Sequence, residues 1–293
     1  MNDSLTGIAG IRVGHWTDDR ACTGVSVVLC PEDGCVASAS FLGASPGTRE
    51  AALLAPEKRV ERVHALALCG GSAFGLAAAD GVVRFLAEQG VGHPTRLGPV
   101  PIVPAAVIYD LLVGGTAAPG ADEGYAAART ASAEPVASGP VGAGAGASAG
   151  KYKAPVRTGL GSALARWGEA AVGALAVVNP VGDVYDAGGR LLAGHGDREA
   201  WMRAEPRAGE HTTLVVLATA APIDKRSAYL LAVAGQAALS RVVRPSHTPW
   251  DGDAVFALAT GRGPAAPLAV LSALAQEAVV KAVERSAVQR PAR

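Results

Sequence analysis

The stretch RAGEHTTLVVLATAAP, Arg207–Pro222, sets two threonines between a Gly-Glu-His turn and the apolar run Leu214–Leu217. Thr212 has two readings. Threonine favours strands because its branched side chain packs well on a pleated surface, so it can simply open a buried strand. It can also be a latent nucleophile. A threonine hydroxyl is weak until a base takes its proton, and a free α-amine on the same residue can serve once the chain is cut before it. Such an amine has an ordinary pKa of about 8, which leaves a neutral fraction near pH 7. The second reading needs a flexible turn feeding a rigid strand, and GEHTT before LVVL has that form. Composition alone favours the first.

Working outward, strand-like and helix-like segments alternate. TGVSVVLC (Thr23–Cys30) and GCVASASF (Gly34–Phe41) are β-rich runs joined by the turn PEDG. GASPGTREAALL (Gly43–Leu54) reads as a turn opening a short helix. VHALALC (Val63–Cys69) is a buried strand, and the segment from Gly70 to Gly90 is a turn followed by a helix that Gly90 closes. AVGALAVVN is a buried strand ending at Asn179. Leu230–Val243 and Leu268–Glu284 carry apolar residues at helical spacing, and the strand DAVFALAT lies between them. Long helices mixed with strands in this order predict layered α/β packing with helices covering both sheet faces.

The chain has 293 residues, 49% apolar and 18% charged, enough to bury a large core. Twenty-six basic and 26 acidic residues cancel, which removes the basic excess that nucleic-acid binding needs. The start, MNDSLTGIAG, lacks a signal-peptide pattern, and no apolar run reaches the ~18 residues of a membrane span. These features predict a soluble, cytoplasmic protein with no membrane partner. The cysteines, Cys22, Cys30, Cys35 and Cys69, form no CxxC pair and read as buried thiols.

Several motifs fail on spacing. GPVGAGAGASAGKYK (Gly139–Lys153) is glycine-rich, yet a P-loop would need Gly at position 145 and Ser or Thr after Lys151, where the chain has Ala145 and Tyr152. Such glycines serve close backbone approach or positive φ instead. The six histidines form no HExxH or other paired spacing, so no metal or cofactor is expected. CGGSAFG lacks the glycine a serine-hydrolase elbow needs at position 74, and Ser72 reads as an N-cap for the following helix. Asp251 and Asp253 in PWDGDAVFALATG carry more. If both are extended they share a face, and two close carboxylates push one pKa upward. A solvated Asp-Gly turn is the alternative.

Eight segments occur in the order found in one family: IRVGHWTD, GASPGTRE, LCGGSAFGL, AAVIYDL, GASAGK, AVVNPVGDV, HTTLVVLAT and HTPWDGDAVFALAT. Over nearly its full length the chain resembles the DmpA-like family of L-aminopeptidase/D-amidase-esterases, β-peptidyl aminopeptidases and nylon-oligomer hydrolases. The resemblance implies an α/β fold, an αββα sandwich related to Ntn hydrolases. It implies one catalytic domain, residues 1–293, that cuts itself between His211 and Thr212 into an α chain (1–211) and a β chain (212–293).

By motif, Thr212 is then the nucleophile and Asn179 of VVNPVG the oxyanion-stabilising amide. Tyr109 of VIYD matches a hydrogen-bonding site tyrosine. Lys151 of SAGK and the pair Asp251 and Asp253 match the nylon-oligomer branch. The implied activity is hydrolysis of small peptides or amides through an acyl-enzyme on Thr212, in a homotetramer of αβ units. Two positions depart from the family pattern. His211 stands where threonine-nucleophile relatives often have Asn. Val107 replaces an acid that holds the substrate amine in the aminopeptidases, which points toward the nylon-oligomer kind of amidase. Acyl transfer to an amine acceptor and an uncleaved, non-catalytic homologue are the other readings.

Overall fold

The computed structural model describes residues 2–205 and 209–287. Two sheets face each other. The first contains β1 (Arg12–Asp18), β2 (Thr23–Leu29), β4 (Thr48–Arg49), β6 (Ala65–Cys69) and β7 (Ala105–Val107), in the order β1-β2-β6-β7-β4. The second contains β3 (Cys35–Phe41), β5 (Arg62–Val63), β8 (Leu160–Trp167), β9 (Ala170–Asn179), β10 (Thr212–Thr219) and β11 (Ala254–Ala259), in the order β8-β9-β10-β11-β3-β5. Helices α1 (Ala78–Glu88) and α2 (Ala121–Arg129) cover the first sheet, and α3 (Lys225–Val242) and α4 (Leu268–Ser286) cover the second. The result is the αββα sandwich that the resemblance implies.

Period-two alternation builds the layers. On β10, Leu214, Val216 and Ala218 enter the core between the sheets, while Val215 and Leu217 pack under α3 and α4. On β2, Val28 faces inward and Val25, Val27 and Leu29 meet α1 and α2. Buried on both faces, such strands read as continuous apolar runs. The two parallel pairs, β6 with β7 and β10 with β11, are each joined through a connection containing a helix, α1 and α3 respectively. Helix α4 lays Leu271, Leu274, Ala275, Ala278, Val279, Ala282 and Val283 into the core at helical spacing. Asp224 caps α3 by accepting the Ser227 N–H at 2.7 Å.

Three local expectations receive a physical answer. Ser72 is no side-chain cap: it lies inside a 3-10 turn at φ +55°, Gly71 occupies the cap position, and the Ser72 N–H donates to the Ile108 carbonyl. The glycine-rich segment does serve close approach, because a Cβ on Gly146 would lie 2.2 Å from the Cys22 carbonyl oxygen and 2.5 Å from Asp110 Cβ. Three of the four cysteines are buried, and Cys22 is half-exposed. Among the described residues, no helix is long and apolar enough to cross a membrane.

Candidate active site

Strand β9 runs antiparallel to β10, and their register sets Asn179 directly opposite Thr212. Both continue the inward-facing series of their strands (Leu175 and Val177 on β9, Leu214 and Val216 on β10), so both side chains belong to the layer between the sheets. Pro180 follows Asn179 and disfavours helical geometry there, which ends the strand. The site therefore sits at one end of the sandwich, where β9 ends and β10 begins.

Thr212 is 4% exposed. Its hydroxyl donates to the carbonyl oxygen of His211, the preceding residue, at 2.5 Å. The same oxygen accepts the Gly252 N–H at 2.7 Å. No side chain fits at Gly252: a Cβ there would lie 2.7 Å from Thr212 Oγ1 and 2.6 Å from the Ser45 carbonyl oxygen. The His211–Thr212 peptide is thus held with its carbonyl between a hydroxyl and a backbone amide. The His211 ring is buried with both nitrogens unpartnered among the described residues. Burial, with the nearby Lys151 charge, pushes its pKa down to about 3 and keeps the ring neutral.

Lys151 extends its ammonium into the same place. Nζ donates to Asn179 Oδ1 at 2.7 Å, to the Asn179 carbonyl at 3.2 Å and to the Glu210 carbonyl at 3.0 Å. Burial lowers its pKa to about 7, against the raising influence of Asp251, Asp110 and Glu210. Asn179 is fully buried and its amide is oriented from both sides. Oδ1 also accepts the Ser148 N–H at 3.1 Å, and Nδ2 donates to the Tyr109 carbonyl at 3.1 Å. That leaves one amide hydrogen for a reacting oxygen. Tyr109 thus joins the site through its backbone, and its ring is half-buried.

The two aspartates are both fully buried, but they do different work. Strand β11 begins only at Ala254, so they do not project from one regular strand. Asp251 accepts the Thr248 hydroxyl at 2.6 Å and N–H at 3.0 Å, and the Val181 N–H at 3.4 Å. Burial and the charge of Asp253 push its pKa up to about 6, as two close carboxylates require. Asp253 accepts the Thr213 N–H at 2.7 Å, one residue past the nucleophile candidate, and its other oxygen meets His247.

Sequence reading passed over four contributors: Gly252, His247, Ser148 and Asp110. Asp110 is a buried carboxylate beside Tyr109 that accepts the Thr23 hydroxyl and the Gly71 N–H at 2.7 Å each. Gly252 and His247 both lie in the HTPWDGD segment, but neither has a spacing that marks a role. No cluster of three or more His, Cys, Asp or Glu side chains among the described residues could hold a metal ion.

The model of the peptidase family described as peptidase family S58 matches residues 3–290. The chain belongs to that family. This bears out the DmpA-like resemblance, and it makes the S58 protein a hydrolase of peptide or amide bonds by class. An uncharacterized aminopeptidase of Mycobacterium tuberculosis is 43% identical over 290 residues, covering 88% of this chain and 82% of the relative. A 6-aminohexanoate-oligomer endohydrolase of Paenarthrobacter ureafaciens is 32% identical over 216 residues, covering 67% of this chain and 60% of the relative. Among solved structures, a Burkholderia beta-aminopeptidase superposes with a TM-score of 0.76 at 22% identity, covering 98% of this chain and 86% of that one. The L-aminopeptidase D-Ala-esterase/amidase of Ochrobactrum anthropi gives 0.71 at 18% identity, covering 97% and 85%. Those two likenesses establish the fold of this S58 protein.

Proposed function

We propose that this S58 protein is a self-processing amide hydrolase whose nucleophile is Thr212, freed as a new N-terminus by cleavage after His211. The observation that carries the reading is the meeting of two donors at one carbonyl: Thr212 Oγ1 at 2.5 Å and the Gly252 N–H at 2.7 Å share the His211 oxygen. In this reading Thr212 Oγ1 attacks the His211 carbonyl carbon and its proton passes to a neutral Lys151 amine. The Gly252 N–H stabilises the charge that develops on the oxygen. The peptide C–N bond breaks, the Thr212 nitrogen takes the proton and becomes an amine, and His211 is left as an ester on Oγ1. Water hydrolyses the ester, giving an α chain of residues 1–211 and a β chain of residues 212–293.

The freed α-amine then acts as base for its own hydroxyl toward an external amide. Asn179 donates its remaining amide hydrogen to the substrate oxyanion, and the product amine leaves before water releases the acyl group. Val107 is apolar and buried, which supplies no carboxylate for a substrate amine. That favours linear amide oligomers over strict aminopeptidase substrates, in keeping with the endohydrolase relative. Assembly as four αβ units belongs to the same proposal.

A denaturing gel with N-terminal sequencing tests it. Purified protein should give two bands, the smaller beginning Thr-Thr-Leu-Val, and Thr212→Ala should remain one band of 29.3 kDa. A Thr212→Ala chain that splits as readily as the unaltered one overturns the intramolecular mechanism.

A further inference from the structure

His247 sits at φ +56°, a left-handed conformation that non-glycine residues hold only where their surroundings over-determine it. The surroundings here are acceptors. Asp253 Oδ2 accepts the His247 backbone N–H at 2.9 Å and lies 2.9 Å from Nδ1. On the other side of the ring, Nε2 lies 3.3 Å from the Gln236 carbonyl oxygen of α3. A carboxylate and a carbonyl can only accept, so both ring nitrogens must donate. Only the imidazolium has two N–H donors; a neutral ring would set a lone pair against one of these oxygens.

The fixed carboxylate has a use. Asp253 Oδ1 takes the Thr213 N–H at 2.7 Å, so the chain His247–Asp253–Thr213 reaches the residue next to Thr212. Strands β10 and β11 pair only from Leu214 and Ala254 onward, so this link continues their alignment toward the cleavage point. We propose that His247, held as an imidazolium, is a positioning residue that fixes Asp253 on the Thr213 amide and thereby sets the pose of Thr212. This rests on the self-processing reading above.

The charged groups acting on the ring are Asp253, which it touches, and Asp251. Burial alone would depress the imidazole pKa; the hydrogen bond and charge of Asp253, the Gln236 carbonyl and the charge of Asp251 outweigh it and raise the value above the ordinary 6.5. With the pKa raised in the folded state, the clamp is intact below the ordinary value and is lost as pH rises through the higher folded value.

The experiment follows precursor cleavage against pH for the full chain and for His247→Gln, which keeps a donor toward Asp253 but carries no titrating charge. The wild-type rate should fall on the alkaline side as the ring loses its proton. His247→Gln should cleave roughly 10- to 100-fold more slowly where the wild-type ring is protonated, as misplacement of a reacting group does, and should lack that alkaline decline. A variant with wild-type rates and an unchanged pH profile overturns the proposal while leaving self-processing intact. A wild-type chain that never cleaves overturns both. Because the variant can fail to fold, the His247 ring is also titrated by NMR in the intact Thr212→Ala chain. A pKa above the ordinary histidine value supports the clamp, and one at or below it overturns the clamp.

Discussion

Asn179 stands opposite Thr212 where two antiparallel strands end, and its amide is already held by Ser148, Lys151 and Tyr109. A side chain fixed on both sides before any substrate arrives needs no reorganisation during the reaction, which is what makes an oxyanion donor effective. The same bonds give it structural work, so its loss has two consequences.

Asn179→Ala should lower turnover by roughly 10²–10³-fold, the usual cost of one oxyanion donor. It should also destabilise the fold by about 1–3 kcal/mol, because the buried Ser148 N–H loses its acceptor. Turnover is measured per mole of free Thr212 amine and stability by denaturant unfolding. A turnover loss below about threefold would leave the residue a structural cap.

In the proposed mechanism Lys151 makes self-cleavage pH-dependent. Its folded pKa is depressed to about 7, so the amine becomes available as a base only as pH rises through that value. Precursor cleavage should therefore speed up on the acidic limb, as pH rises toward about 7 and before the alkaline decline assigned to His247, and Lys151→Met should stay uncut. The stability sign follows from the same shift. Holding the amine charged in the fold is a cost present below the folded value, and it fades as pH rises toward the ordinary lysine range. Lys151→Met should thus compare more favourably with wild type in Tm at acidic than at alkaline pH.

Gly252→Ala should block cleavage. The added methyl would lie 2.7 Å from Thr212 Oγ1 and 2.6 Å from the Ser45 carbonyl, and that backbone carbonyl cannot swing aside as a side chain would. Overpacking of this kind costs about 1–3 kcal/mol, read as a lowered unfolding midpoint. A variant that folds and cleaves at the wild-type rate would remove Gly252 from the site.

Much of this protein was decided by its sequence. Strands such as Leu214–Leu217 and Val255–Leu258 are apolar on both faces, and helix 268–286 carries its stripe at helical spacing, so element types and the layered packing follow from periodicity. The ordered motifs fixed the family, and with it the candidate set Thr212, Asn179, Lys151, Tyr109, Asp251 and Asp253.

Only the tertiary structure decided what each of these touches. Periodicity is local, whereas the site joins residues such as Gly252 and His211 that are far apart in the chain, and hydrogen-bond direction is set by strand register. Register put Asn179 against Thr212 and Gly252 N–H on the His211 carbonyl. The loops at the strand ends gave Asp253 to Thr213 while Asp251 took Thr248, and they brought the Tyr109 backbone carbonyl to the Asn179 amide. His247 gained its place for the same reason: two acceptors, one at the entrance to β11 and one on α3, converge on a ring that no sequence spacing singles out.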